Sequence, residues 1–289
     1  MNNLVIGSEG FVGRPFCAFL RARGETVRPF DRVRSAAEDA RTAALPLSDI
    51  QRVYFLAWDV GGAKYLYRGD SQLEQMHWNL ALMQNVFRQL AGAGIPFLFV
   101  SSQLADTVET VYGVTKRLGE VWTRLLPAGV CVRLWNVYGG YEDSTERSHV
   151  VADFVHQALD RGVIRLLTTG AERRQFVHID DVCRGFHAAL SQGVREVCDV
   201  TSFAWTTVLD VARIVGELTG AEVIPGARTG STPMTPNRNP VPGWRAEVDI
   251  REGLDRMVRE FRRRKAQRRA AADAPAEAAA RPEGPPRSP

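Results

Sequence analysis

A short apolar run, Asn3-Leu4-Val5-Ile6, passes directly into Gly7-Ser8-Glu9-Gly10-Phe11-Val12-Gly13 and then into a helical pattern carried by Phe16, Phe19 and Leu20 that stops at Gly24. Three glycines spaced three apart between a strand and a helix permit a turn too tight for side chains. They also let backbone N–H groups face a diphosphate at the helix N-terminus. Glu25 to Phe30 reads as the next strand, so the chain opens with a strand-helix-strand unit, which calls for a parallel sheet.

The pattern continues. Compact β-prone runs lie at Val53 to Ala57, Phe97 to Ser101 and Gly129 to Leu134, separated by helical stretches at about 71–92 and 112–126. Strands alternating with helices predict an α/β fold whose sheet is covered on both faces. After Tyr138-Gly139-Gly140 come a helix at about 149–161, a short strand from Ile164 to Leu167, a helix from Asp180 to Leu190 and a further αβ portion to about 261. Residues 1–140 are therefore expected to form mainly a dinucleotide-binding part. Residues 141–261 are expected to form mainly a smaller lobe over the carboxyl edge of the sheet, with some elements returning to it. Residues 262–289 read as a basic, Pro/Ala-rich tail, disordered beyond about residue 268.

Charge excludes one class of partner. The 289 residues carry a net +4, but residues 262–289 hold eight Arg/Lys against three Asp/Glu, leaving the preceding 261 residues with 29 positive and 30 negative side chains. No basic face in the body is available to track a nucleic acid. The longest apolar runs fall far short of the roughly 18 residues that a membrane span needs, and no basic segment precedes Leu4, so the protein is expected to be cytoplasmic, with no membrane partner. Cys17, Cys131, Cys183 and Cys198 lie far apart with no Cys-x-x-Cys pair, which argues for buried thiols and against zinc or disulfides. No metal site is expected.

Asp31 stands 18 residues past Gly13 at the end of the second predicted strand, where a carboxylate can bond both ribose hydroxyls and repel a 2′-phosphate. NAD is the expected cofactor, with NADP as the alternative because Arg32 and Arg34 could hold that phosphate. Ser101-Ser102 closes the Phe97 strand, and Tyr112-Gly113-Val114-Thr115-Lys116 opens the next helix. Tyr112 and Lys116 share a helix face. An ammonium beside a phenol is expected to lower its pKa from about 10, so that Tyr112, with Ser102 sharing the proton, can deprotonate an alcohol while a nicotinamide takes the hydride.

These motifs resemble the extended short-chain dehydrogenase/reductases, in particular their nucleotide-sugar epimerase/dehydratase branch. The resemblance runs from about residue 2 to about 261. It includes Leu56-Ala57, Asn79, Glu120, Arg133-Leu-Trp-Asn136-Val-Tyr-Gly139, Arg174-Gln-Phe-Val-His178-Ile-Asp-Asp181 and Gly243-Trp244-Arg245. It implies a Rossmann-type doubly wound parallel sheet with a smaller C-terminal α/β substrate lobe. It also implies a cofactor site built from Gly7, Gly10, Phe11, Val12, Gly13, Asp31, Arg32, Leu56, Ala57, Trp58 and Asn79, together with Tyr112 and Lys116. The substrate it implies is a nucleotide-diphosphate sugar, with Asn136 and Arg174 on its diphosphate, where a planar guanidinium suits two phosphate oxygens. A surface ion pair of Arg174 with Asp180 or Glu172 is the alternative, and His178 reads as structural. By analogy, helices 71–92 and 112–126 would pair two subunits into a homodimer.

The chain also departs from this pattern. Between Asp31 and Val53 there is room for a linker and one degenerate strand, Ala43 to Leu47, and the Asp that meets adenine has only Asp49 as its nearest counterpart. Trp58 stands where a small residue is usual, and Asp59-Val60-Gly61-Gly62 resembles the branch acting on GDP-linked and heptose sugars. After Ser102, Gln103-Leu104-Ala105 offers neither the Asp-Glu pair of the dehydratases nor the cysteine of the C3/C5 epimerases. That leaves alcohol-ketone interconversion: a C4 epimerase working through a 4-keto sugar, or alternatively a keto-sugar reductase, less readily a dehydratase. A dinucleotide-binding module without turnover is the remaining class. The stretch Arg228 to Arg238 is the expected loop over the substrate.

Overall fold

In the computed structural model, which describes residues 1–273 apart from 62–64, 66–68, 70, 71, 108, 109, 144 and 146, the opening apolar run forms β1 (Asn2–Ile6). Val5 faces a core on one side of the sheet, while Leu4 and Ile6 face another on the opposite side. Tyr54 and Val53/Phe55 repeat this division in β3 (Arg52–Phe55), as do Leu98 and Phe97/Phe99 in β4 (Phe97–Ser102). A strand apolar on both faces must be covered twice, which is why these runs do not alternate with polar residues.

Six strands form this sheet in the order β2-β1-β3-β4-β5-β9, with β2 Thr26–Phe30, β5 Gly129–Leu134 and β9 Cys198–Val200. All neighbours are parallel. Helix α1 (Gly13–Ala22) covers one face through Phe16, Cys17 and Leu20. Helix α2 (Gln72–Ala93) covers the other through Leu82, Met83, Val86, Phe87 and Leu90. Helix α3 (Val111–Leu125) packs beside α2, with Gly119 so close to Phe99 that a Cβ there would lie 2.3 Å from its ring. The chain leaves β1 toward β2 on one side and reaches β3 on the other. This reversal opens a crevice at the carboxyl ends of β1 and β3.

A second group of elements stands over that crevice. Strands β6 (Asn136–Tyr138), β8 (Arg173–His178) and β10 (Trp205–Thr207) form a three-stranded sheet, and β7 (Val163–Arg165) pairs with β11 (Glu222–Ile224). Helices α4 (Val150–Arg161), α6 (Val208–Thr219) and α7 (Ile250–Asp273) enclose a core of Phe154, Val155, Val211, Val215, Leu254 and Phe261. Helix α5 (Ile179–Gln192) and β9 return to the main sheet. No described helix is long and apolar enough to cross a membrane, and the four cysteines are free and buried.

Two expectations are corrected. Residues 43–47 form irregular chain rather than a strand. Asn85 and Gln89 of α2 donate to the carbonyls of Ala40 and Ala43, and Gln89 accepts from the Leu45 N–H. Amide side chains thus satisfy backbone that would otherwise need a ladder partner. The tail expectation also fails over its first part, because α7 runs on to Asp273. There Arg264 pairs with Glu260 at 2.8 Å, Lys265 with Asp160, and Arg268 with Asp143. Residues 274–289, and Gly62 of the Asp59 motif, lie outside the described residues.

Candidate active site

Gly7 leaves β1 with φ +89°, and a Cβ there would lie 2.5 Å from the Ala57 nitrogen. The N–H groups of Leu56 and Ala57 both donate to the Ile6 carbonyl at 2.9 Å, so the loop after β1 and the loop after β3 touch at the switch point. A Cβ at Gly13 would lie 2.0 Å from the Gly7 oxygen, whereas one at Gly10 would keep 3.4 Å. Gly7 and Gly13 are thus sterically required, and Gly10 leaves open space over the helix N-terminus. Among the described residues the N–H groups of Phe11 and Val12 meet no acceptor, which is what a diphosphate at this helix end requires. Phe11 itself stacks on His149 of the upper lobe at 5.2 Å.

The cleft encloses about 680 Å³, and its wall includes the glycine loop, Asp31, Arg32, Leu56, Ala57, Trp58, Ser102, Tyr112, Lys116, Asn136 and Arg174. Asp31 accepts from the Glu9 N–H (3.0 Å) and the Val33 N–H (2.9 Å) and so sits fixed at the end of β2. Arg34 lies against Glu9 and Glu38, and Arg32 covers the Trp78 ring at 4.5 Å. Asp49 does not line the cleft. It has φ +61°, and its carbonyl accepts from Asn2 at the amino end of β1. Asp39 and Ala40 line the cleft with Asp31 and Arg32 instead, and Arg41 grips the Asp39 carboxylate while lying 3.4 Å over Trp78. That grip holds Asp39 below the ordinary carboxylate range. The sequence signal for Asp39 was hidden because it lies in a turn rather than at the end of a strand.

Asn79 is fully buried, and both its amide atoms engage the Asp59 backbone, accepting from its N–H at 2.8 Å and donating to its oxygen at 3.2 Å. It stands outside the cleft wall and pins the loop that carries Trp58. Asn136 donates to the Gln175 carbonyl (3.4 Å). Arg174 donates to the carbonyls of Arg173 and Ser231 (2.8 and 2.9 Å). Gly230, Ser231 and Pro233 bring the 228–238 loop onto the cleft wall. His178 caps α5, its Nδ1 accepting from the Asp180 N–H, which agrees with the structural role expected of it. Arg147, which no motif marked, enters the wall and bonds Asp59 (2.5 Å) and Tyr65 (3.0 Å).

Ser102 ends β4 and accepts from the Leu104 N–H at 3.2 Å, opening the single turn Gln103–Asp106. Thr110 caps α3 by accepting from the Gly113 N–H at 3.0 Å, and this start places Tyr112 and Lys116 on the buried face of the helix. Their electrostatics differ from expectation. Burial pushes the Tyr112 phenol up to about 12, offset only in part by the Ser102 hydroxyl. Burial pushes Lys116 down to about 7. The expected acidification of Tyr112 by Lys116 fails in the free protein because desolvation disfavours both charged forms.

A phosphate cradle at a sheet reversal, with a tyrosine–lysine pair below it, defines a dinucleotide-binding α/β protein equipped for proton transfer. The chain belongs to the NAD dependent epimerase/dehydratase family, whose model matches residues 3–200. It is 32% identical over 192 residues to UDP-2-acetamido-2,6-beta-L-arabino-hexul-4-ose reductase of Pseudomonas aeruginosa, a match covering 64% of this chain and 48% of that one. It is 30% identical over 180 residues to dTDP-L-rhamnose 4-epimerase of Burkholderia thailandensis, covering 57% and 46%. These matches span about half the length of both relatives. Among solved structures it resembles UDP-glucose 4-epimerase of Thermotoga maritima, with a TM-score of 0.75 at 24% identity, covering 92% of this chain and 100% of that one. That likeness describes the fold.

Proposed function

We propose that this protein is a NAD-dependent nucleotide-sugar epimerase acting at C4 through a transient 4-keto sugar. The observation that carries the reading is the placement of Ser102, Tyr112 and Lys116 together on the cleft wall, to which, among the described residues, the turn that follows Ser102 contributes Gln103 and Leu104. Because, among the described residues, no carboxylate of that turn reaches the wall, the chemistry we assign to the site is removal and return of one hydroxyl proton. NAD, when bound, supplies the hydride acceptor and donor. Gly7, Gly10, Phe11, Val12 and Gly13 would hold its diphosphate, and Asp31 its ribose. Tyr112 takes the 4-hydroxyl proton and returns it after the sugar has turned over, and Ser102 orients that hydroxyl. Asn136 and Arg174 would hold the substrate diphosphate.

The test is conversion of a panel of nucleotide-sugars in deuterated water. The expected product carries no solvent deuterium on carbon, since hydride is returned from the cofactor. Deuterium at C3 or C5 would overturn the reading.

A second reading has its own support. A phenol held protonated, as burial holds Tyr112, suits donation to an alkoxide, so a nucleotide-keto-sugar reductase fits the same floor. Stoichiometric loss of reduced nicotinamide absorbance separates it from the epimerase. We also infer a homodimer through α2 and α3, where Leu73 (65% exposed), Leu80, Val114, Leu118 and Leu125 (74%) present apolar side chains to solvent.

A further inference from the structure

Lys116 is 4% exposed, and its surroundings are largely aromatic. The ammonium lies 3.9 Å from the centre of the Trp58 ring, 5.1 Å from Phe99 and 5.7 Å from Tyr112. Among the described residues its one acceptor is the Val100 carbonyl, at 2.6 Å. An ammonium carries three donors, so two N–H groups meet rings instead of oxygen. A ring face attracts a cation, but it replaces water, which solvates an ammonium far better.

Among the described residues, each nearby carboxylate is already engaged by an arginine. On α3, Glu120 is engaged by Arg133 and Arg117. In the turn after β4, Asp106 is engaged by Arg133. Beside Trp58, Asp59 is engaged by Arg147. From β5, Cys131 faces Lys116 as a buried thiol pushed well up by desolvation, and from its own helix comes the phenol of Tyr112.

Trp58 is itself firmly placed. It packs on Phe55 and Phe99 at 6.2 and 5.5 Å. The next residue, Asp59, is tied to α2 through Asn79 and Gln75. The indole N–H is buried with no acceptor among the described residues, an unfavourable state that packing alone maintains.

We propose that Trp58 is a positioning residue for Lys116: its indole closes an aromatic cage that holds the ammonium on the β4 backbone, shuts out water and makes the lysine's charge easy to change. Lys116, rather than Tyr112, is then the member of the pair that changes charge near neutral pH in the free protein. This rests on the reading of Tyr112 and Lys116 as the acid-base pair.

The chain has three lysines, Lys64, Lys116 and Lys265, so protein labelled with 13Cε-lysine gives three resonances, and Lys116→Arg assigns the one of interest. In the parent protein the Lys116 signal is expected to be shielded by the indole ring current and to titrate with a midpoint near 7. In Trp58→Ala, water reaches the ammonium and the midpoint rises by about one pH unit or more; in Trp58→Phe it rises less. Should the alanine variant not fold, the phenylalanine variant carries the comparison. An unshielded Lys116 signal, or one midpoint common to the parent and every folded Trp58 variant, would overturn the proposal. Failure of the functional reading looks different: Lys116 titrates as stated, yet no nucleotide-sugar is converted.

Discussion

Arg133 and Glu120 face each other inside the protein through two hydrogen bonds of 2.7 and 3.0 Å, with side chains 1% and 4% exposed. The same guanidinium grips Asp106 at 2.5 and 2.8 Å, and Glu120 accepts from Ser101 at 2.6 Å. One side chain of β5 thereby joins the end of β4, the turn after Ser102 and the helix of Tyr112. Removing it takes the buried partner from two carboxylates and leaves beside them only the more exposed Arg117 and Arg238. Arg133→Met is expected to cost roughly 3–5 kcal/mol, and Arg133→Lys less, because it keeps the charge but loses the fork. Urea unfolding of the three proteins measures this, and a loss below about 1 kcal/mol for the methionine variant would refute the bridging role.

The glycine loop makes a graded prediction. Gly13→Ala drives a Cβ against the Gly7 oxygen, while Gly10→Ala meets nothing closer than 3.4 Å. Calorimetric titration with NAD is expected to show binding weakened at least about tenfold by the first substitution, which distorts the cradle that receives the diphosphate. The second should preserve a folded protein, with a smaller loss. Equal behaviour of the two would contradict the geometry.

Tyr112→Phe keeps the ring and removes the proton carrier. Turnover is expected to fall about 10²- to 10⁴-fold, with NAD affinity within a few-fold of the parent. Loss of NAD binding along with turnover would assign Tyr112 to the cofactor instead.

Lys116 makes the free protein's stability depend on pH in a defined direction. Its folded value, near 7, lies below the ordinary lysine value of 10.5, so the unfolded chain binds more protons between those limits and stability rises with pH across that window. Below pH 7 the burial penalty is fully present. Lys116→Met removes it, so the variant is expected to be more stable than the parent at pH 6, on the order of 2 kcal/mol after the cation–π attraction is lost. The gap should close as pH approaches 10. The comparison stops there, because Tyr112, raised to about 12, makes the folded state less stable above that pH. Melting temperatures at pH 6, 8 and 9.5 decide it, and a gap that widens with pH would be the wrong sign.

The inferred dimer is tested on its apolar helices. Leu80→Glu with Leu118→Glu, both partly exposed, should leave the fold intact and convert a dimer to a monomer in light scattering after size exclusion. A parent protein that is already monomeric would remove the inference.

What the sequence determined by itself was local and periodic. Apolar runs on both faces of β1, β3 and β4 announced a sheet covered twice, and the spacing of Gly7, Gly10 and Gly13 announced the cradle, because each depends on residues a few positions apart. The Tyr112–Lys116 spacing likewise put both side chains on one helix face. Only the tertiary structure decided what depends on distant neighbours. Asp39 lines the cleft where Asn85 and Gln89 hold the chain that follows it. The helix runs to Asp273 although disorder was expected beyond about residue 268, since α7 continues from a buried apolar segment and its basic side chains find acidic partners. The charge states of Tyr112 and Lys116 followed burial rather than their mutual spacing, because desolvation is set by everything packed around a group, and here Trp58 arrives from the loop after β3 and Phe99 from β4.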